Sequence, residues 1–220
     1  MPQLKITLGF LRQLAQNNNR DWFTAHRADY DAAKLQFEAL LEDFIMSFSP
    51  VENLMGMSPK DFMFRINRDV RFSSDKSPYK ISMSASLGQG GKKSRRLSYY
   101  LQIQPDDCFM GGGLYMPEGE QLKLIRKQID EDPRALKKII ADKDFVKYFG
   151  GLSGDKLKTA PKGYAPDHPE IELLKHKQFL AIRNVKESDV TSPKFVQNTI
   201  SAFKAMKPFN EYLSGLLGLV

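Results

Sequence analysis

Residues 81–104 read ISMSASLGQGGKKSRRLSYYLQIQ, and the alternation at both ends of this stretch decides the fold. Ile81, Met83, Ala85 and Leu87 interleave with Ser82, Ser84 and Ser86, and Leu97, Tyr99, Leu101 and Ile103 interleave with Ser98, Tyr100, Gln102 and Gln104. Neighbouring side chains of a strand point to opposite faces, so this pattern predicts two half-buried strands. Gly88, Gly90 and Gly91 lie in a basic loop between them, and Pro105-Asp106-Asp107 separates the second from a third strand around Cys108 to Tyr115. Strands joined by short turn-forming segments predict an antiparallel meander.

Helical periods flank this sheet. Thr7 is placed to cap a short helix carrying Leu8, Leu11 and Leu14, which the Asn17-Asn18-Asn19 run stops. A second helix follows from Trp22 or Phe23 through Tyr30, Phe37, Leu40, Leu41, Phe44, Ile45 and Phe48. At 1.5 Å per residue it would be roughly 40 Å long. Met63, Phe64 and Ile66 predict a short strand, followed by a polar connection over 67–80. Pro117 and Pro133 open helices bearing Leu122, Ile125 and Ile129, then Leu136, Ile139 and Ile140, and Gly150-Gly151 ends the series. A surface excursion over 152–168, a short helix from Pro169 and a strand near Phe179 to Val185 come next. The last helix starts at Ser192-Pro193 with a stripe of Phe195, Val196, Ile200, Phe203 and Met206, and Pro208 marks a kink or a fresh start. The expected fold is therefore α+β: a single domain over residues 1–220, with an antiparallel meander packed against several helices, including a long N-terminal and a C-terminal helix.

The chain carries a net charge of +7, and its location is informative. Ten Lys and Arg fall between Lys60 and Gln104 against Asp61, Asp69 and Asp75, so this stretch holds the whole excess. A local excess of one sign points to an anionic partner. No apolar run approaches a membrane span, and the opening MPQLKITLGFLRQL is too interrupted by charge for a signal peptide. The lone Cys108 excludes an internal disulfide and a multi-cysteine zinc site, so a cytoplasmic protein is expected. His26, His168 and His176 form no ligand spacing, so neither a metal nor a cofactor is expected. Gly88-Gln-Gly-Gly-Lys92-Lys93-Ser94 fails as a phosphate-binding loop, because Leu87 stands where the first glycine must fall and a hairpin replaces the strand-to-helix turn.

The strongest candidate site is Arg65-Ile-Asn-Arg68-Asp69-Val-Arg71-Phe-Ser-Ser-Asp75-Lys76-Ser-Pro-Tyr79-Lys80. Guanidinium groups present planar forks of donors that match phosphate or carboxylate, so Arg65, Arg68 and Arg71 would bind an oxyanion if the loop bends them together, with Lys76, Lys80 and Tyr79 beside them. The structural alternative is that Asp69 and Asp75 pair with these arginines and lock the loop. Arg20, Trp22, His26 and Arg27 begin the long helix, where Trp22 and His26 share a face: either a flat ligand stacks on Trp22 with His26 as donor or acid-base group, or both are structural. His26 and Asp69, each next to cations, are the candidate acid or base if catalysis exists. Lys156, Lys158, Lys162 and His168, with Tyr164, could close over the anion as a lid or form a solvated lysine-rich loop.

The strings NNNRDWFTAHRADY (17–30), FRINRDVRFSSDKSPYK (64–80), GGGLYMP (111–117) and KLKTAPKGYAPDHPEIELLKHKQF (156–179) resemble, in this order, an uncharacterised bacterial and fungal family catalogued as domain of unknown function 2461. Ser74 and Ser77 are departures within the central string. The resemblance covers most of the chain and implies an α and β domain with no established activity.

Three functions compete. The first is binding, with or without turnover, of a small phosphorylated or carboxylated ligand in a basic pocket of the Arg65–Lys80 segment. The second is nucleic-acid binding through the hairpin Lys92, Lys93, Arg95 and Arg96 with Tyr99 or Tyr100 as a stacking surface. The third is a structural or interaction protein whose Arg and Asp side chains form an internal network.

Overall fold

Leucines at helical spacing form α1 (Lys5–Gln16), with Leu8, Leu11 and Leu14 buried. Thr7 does not cap it. The first turn is preceded by Leu4, and Thr7 sits inside the helix, where its Oγ1 donates to Ala33 O at 3.0 Å and its backbone N–H donates to Gln36 Oε1 at 2.9 Å. A hydroxyl that can find a partner on a neighbouring helix is satisfied there rather than at the cap. Asn19 instead caps α2 (Arg20–Ala25) by accepting the Trp22 N–H at 2.9 Å.

The long helix expected from Trp22 to Phe48 is broken at His26, whose dihedrals (φ −107°, ψ 28°) leave the helical region before α3 (Arg27–Phe48) resumes. The His26 ring stacks on Trp22 with centroids 4.1 Å apart, and its Nδ1 lies 2.9 Å from the Trp22 carbonyl, a local bond that competes with regular helix geometry. α3 alone spans about 33 Å. Its buried Tyr30, Ala33, Phe37, Leu40, Leu41, Phe44 and Phe48 keep the expected period.

Beyond the short α4 (Pro59–Phe62), Met63, Phe64 and Ile66 do not form a strand; isolated bridges hold them, Met63 to Ala85 and Asn67 to Tyr79. The sheet comprises β1 (Met83–Leu87), β2 (Tyr99–Ile103), β3 (Cys108–Leu114) and β4 (Phe179–Val185), antiparallel in the order β1-β2-β3-β4. β2 alternates buried and half-buried residues as its sequence requires. β1 is instead buried throughout, Ser84 and Ser86 included. Ser84 hydrogen-bonds the Tyr100 hydroxyl through its side chain and accepts the Phe64 N–H through its carbonyl, so neighbours cover the face that serine was expected to give to water.

The intervening helices are α5 (Gly119–Glu131), α6 (Arg134–Ile140), α7 (Lys143–Phe149) and α8 (Ile171–Leu174), and after β4 come α9 (Glu187–Val190) and α10 (Phe195–Leu216). Pro208 lies within α10 without ending it. Phe203, Met206, Phe209 and Leu213 are all fully buried, and this shared stripe holds the helix together across the missing N–H.

The computed structural model describes residues 3–219. Among them no helix is long and apolar enough to cross a membrane. The chain gathers into two compact units: one runs through Ser94 and adds 100–110 and 184–201, and the other takes 95–99, 111–183 and Ala202 onward. In the first, Phe10, Phe23 and Tyr30 form an aromatic cluster with centroids 5.0–6.1 Å apart. In the second, Tyr99 packs on Phe203 and Phe145 on Phe209, and Gly113 (φ +101°) brings the backbone so close that a Cβ would stand 2.2 Å from Phe179 O. Only glycine fits that approach.

His176, also in the second unit, is 4% exposed, and its Nδ1 meets no hydrogen-bond partner among the described residues. Burial, with Lys156 second, lowers its pKa from the usual 6.5 to about 4. Between these two values the unfolded chain binds the proton and the folded chain does not, so stability is full above pH 6.5 and is lost as pH falls toward 4, by about 3 kcal/mol in all. Urea titrations across this window should show that slope in the native protein and its disappearance in His176→Gln; equal slopes would contradict a buried neutral imidazole.

Candidate functional site

The site is built on an arm that leaves α4 and returns into β1. Ser58 and Asp61 form a capping box, the Ser58 N–H donating to Asp61 Oδ2 at 2.8 Å, and Phe62 plants the short helix in the core. From there two extended legs pair: Phe64 N–H donates to Ser84 O at 2.9 Å, Lys80 N–H to Ile66 O at 2.8 Å and Arg68 N–H to Pro78 O at 2.9 Å. The first leg advances only from Phe64 to Ile66 while the second runs from Ser84 back to Lys80, so the second carries extra residues over 81–83. An unequal ladder of this kind is a bulge, which re-aims the side chains around it.

At the tip, Ser73 N–H reaches Val70 O at 3.4 Å and closes a turn. Asp69 accepts Arg71 Nε at 2.9 Å and Nη2 at 2.7 Å, and these bonds hold its carboxyl below the usual range. Asp75 accepts the Ser77 N–H at 2.9 Å and pairs with Arg68; the Ser77 bonds first and then Arg68 push its carboxyl far down. Lys76 Nζ donates to Val70 O at 3.1 Å. Both tip carboxylates are thus engaged by arginine, as the structural alternative anticipates, and Phe72 is left 97% exposed with Arg71 over its ring.

A cleft of about 360 Å³ lies behind the tip. Of the residues singled out in the sequence, Arg68, Asp75, Tyr79 and Lys80 line it. Ser77, Ser82 and Gln104 add polar groups, and Ile81 and Ala15 add apolar surface. Asn18, also lining, fixes the arm: its Nδ2 donates to Tyr79 O at 2.9 Å and its Oδ1 accepts the Tyr79 N–H at 3.2 Å. The Tyr79 ring stacks on Phe23 with centroids 4.0 Å apart and planes at 17°. Lys80 is half-buried, with Nζ 5.6 Å from the Phe64 ring centroid, and among the described residues no carboxylate comes within ion-pair distance of it. Burial, followed by the charge of Arg65, lowers its proton affinity below the ordinary lysine value.

The three arginines do not share this space. Only Arg68 lines it; Arg71 is turned to Asp69 at the tip, and Arg65, exposed, acts on the cleft through its charge. Arg20, Trp22 and Lys76 stand outside the lining, as do His26 and Asp69. The His26 ring covers Trp22, and Asp69 is committed to Arg71, so neither candidate acid-base group reaches the cleft. Sequence reasoning missed Asn18, which reads as one of three helix-stopping asparagines; its partner is 61 positions away and leaves no local signal.

Some residues of the other basic segments have structural partners. Lys92 Nζ donates to Lys60 O and, at 2.9 Å, to Met63 O, and Gly91 lies so close to α4 that a Cβ would stand 2.4 Å from Asp61 O. Tyr99 is 2% exposed, whereas Tyr100 sits half-buried on the opposite face with Phe64 and Phe109 beside it. In the second unit Lys156 pairs with Glu172 at 3.0 Å, and His168 Nε2 lies 3.0 Å from Asp130 Oδ1 while its Nδ1 accepts the Glu170 N–H. Among the described residues no cluster of His, Cys, Asp and Glu is arranged to hold a metal ion.

Residues 6–212 match the family described as Conserved hypothetical protein (DUF2461). The chain belongs to this family. No curated protein and no solved structure matches it. The DUF2461 description carries no activity.

The two Arg–Asp pairs differ in what they hold. Arg71 and Asp69 are exposed neighbours at the tip, whereas Arg68, 26% exposed, ties Asp75 and Ser73 across it. Exposed pairs contribute little. Arg71→Ala should therefore leave the urea midpoint at the native value while Arg68→Ala lowers it; equal losses would contradict this division.

Proposed function

We propose that the cleft between the end of α1 and the arm binds a small phosphorylated or carboxylated molecule. One observation carries the reading: Lys80 holds a positive charge in a half-buried position with no carboxylate among the described residues within ion-pair distance, at a cleft that is also lined by Arg68 with its partner Asp75. Withdrawing an ammonium from water is costly unless an opposite charge compensates it, and a bound anion supplies that charge. Ser82 adds a hydroxyl that can donate to an oxyanion, and the volume of about 360 Å³ suits a small molecule rather than a polymer. The net excess of base over acid in the Lys60–Gln104 stretch favours approach of an anion. We set this activity in the cytoplasm, in keeping with a single, buried cysteine.

Inorganic phosphate and glycerol 3-phosphate are the probes. Isothermal titration should give saturable binding of at least one of them that weakens as salt rises. Lys80→Met should reduce affinity by about tenfold to a hundredfold while the variant remains folded by circular dichroism. Binding unchanged in Lys80→Met, or no binding of either probe to the native protein, would remove the proposal.

A further inference from the structure

We infer that Lys80 is a reactive amine that condenses with a small carbonyl compound bearing an anionic group, forming an imine in the cleft. This rests on the reading of the cleft as an anion site and adds the class of molecule that occupies it.

Imine formation needs a neutral nitrogen, and the surroundings of Lys80 work against its proton. The side chain is half-buried, Arg65 adds like charge, and no carboxylate among the described residues stands within ion-pair distance to hold the ammonium; the Phe64 ring, 5.6 Å from Nζ, acts weakly in the other direction. Enzymes that use lysine as a nucleophile activate it by these same means, desolvation and a cationic neighbour. Other lysines of this chain are held differently: the exposed Lys76 donates to the Val70 carbonyl, and the exposed Lys156 and the half-buried Lys175 both pair with Glu172.

The cleft also supplies a place for the substrate. The ladder bulge over 81–83 brings Ile81 and Ser82 into the lining next to Lys80, and Arg68 stands in the same lining with only part of its donor fork engaged, Nη1 by Asp75 and Nη2 by Ser73 in a long 3.4 Å contact. A guanidinium with donors to spare matches a carboxylate or phosphate. An α-keto or α-aldehydo acid could thus present its carbonyl to Nζ and its acid group to Arg68.

The chemistry is self-contained. The nitrogen lone pair adds to the carbonyl carbon, the carbonyl oxygen becomes a hydroxyl, and the resulting carbinolamine loses that oxygen as water. Both protons of the neutral amine leave in the water molecule, the C=N bond replaces C=O, and no oxidant or reductant is consumed. Ser82 lines the space in which that proton transfer would occur.

The test is reductive trapping. The intact protein is incubated near neutral pH with limiting glyoxylate and cyanoborohydride, which reduces the imine to a secondary amine, and the adduct is mapped by peptide mass spectrometry. The expected result is a several-fold excess of adduct on Lys80 over any exposed lysine, in the direction that a lowered proton affinity gives. In a parallel arm, propionaldehyde, which lacks the acid group, should label Lys80 less than glyoxylate does. Adduct spread over exposed lysines with no preference for Lys80 would overturn the inference, and equal labelling by both aldehydes would overturn the assigned substrate class. If the native protein binds phosphate and yet shows no preferred adduct, the anion site stands and the reactive amine falls.

Discussion

The side-chain amide of Asn18 pairs with the backbone of Tyr79 as a neighbouring strand would, giving one N–H and taking one carbonyl. The geometry of the site depends on this pair of bonds. The arm between Met63 and Ala85 has only isolated bridges to hold its legs together, and a short, irregular two-stranded ribbon is marginal by itself in water. Asn18 ties it at the point where Arg68 and Lys80 leave the ladder, and the stacking of Tyr79 on Phe23 adds an apolar anchor beside the polar one. Aromatic pairs of this kind contribute about 0.5–1.5 kcal/mol beyond their burial.

With the arm fixed, charge is distributed in a simple way. The tip spends its two carboxylates locally, Asp69 on Arg71 and Asp75 on Arg68 and the Ser77 backbone. Lys80, further down the second leg and partly withdrawn from water, receives neither. The charge left without a carboxylate partner in the segment is therefore shared among Lys80 at the cleft, the neighbouring Arg65 and Lys76 at the tip. Of these, only Lys80 lies in the cleft lining, and that placement is the basis of the proposed anion site.

Much of the fold is legible in the sequence because burial imposes a period. The alternation over 97–104 yields β2, and the helical stripes of α1, α3, α5 and α10 keep their steps through buried residues. Features set by contacts between distant segments are not legible. The break at His26 follows from a ring that finds its partner on Trp22, the continuity of α10 through Pro208 follows from burial on both sides of the proline, and the burial of Ser84 in β1 follows from its bonds to Phe64 and Tyr100. The site divides in the same way. Its basic residues stand out as a local excess of charge, but which arginine enters the cleft depends on the ladder bulge over 81–83, and its anchor is an asparagine 61 positions from its partner. Neither leaves a mark in composition or spacing.

The most direct test of this account is residue-resolved hydrogen exchange in the native protein and in Asn18→Ala. Loss of the tether should accelerate exchange of the Arg68, Tyr79 and Lys80 amides, which lie at and beside it, while the Phe64 amide, bonded to Ser84 at the root of the arm, exchanges as in the native protein. Unchanged exchange at Arg68 and Lys80 would contradict the account, because it would mean that the arm holds the cleft residues in place without Asn18.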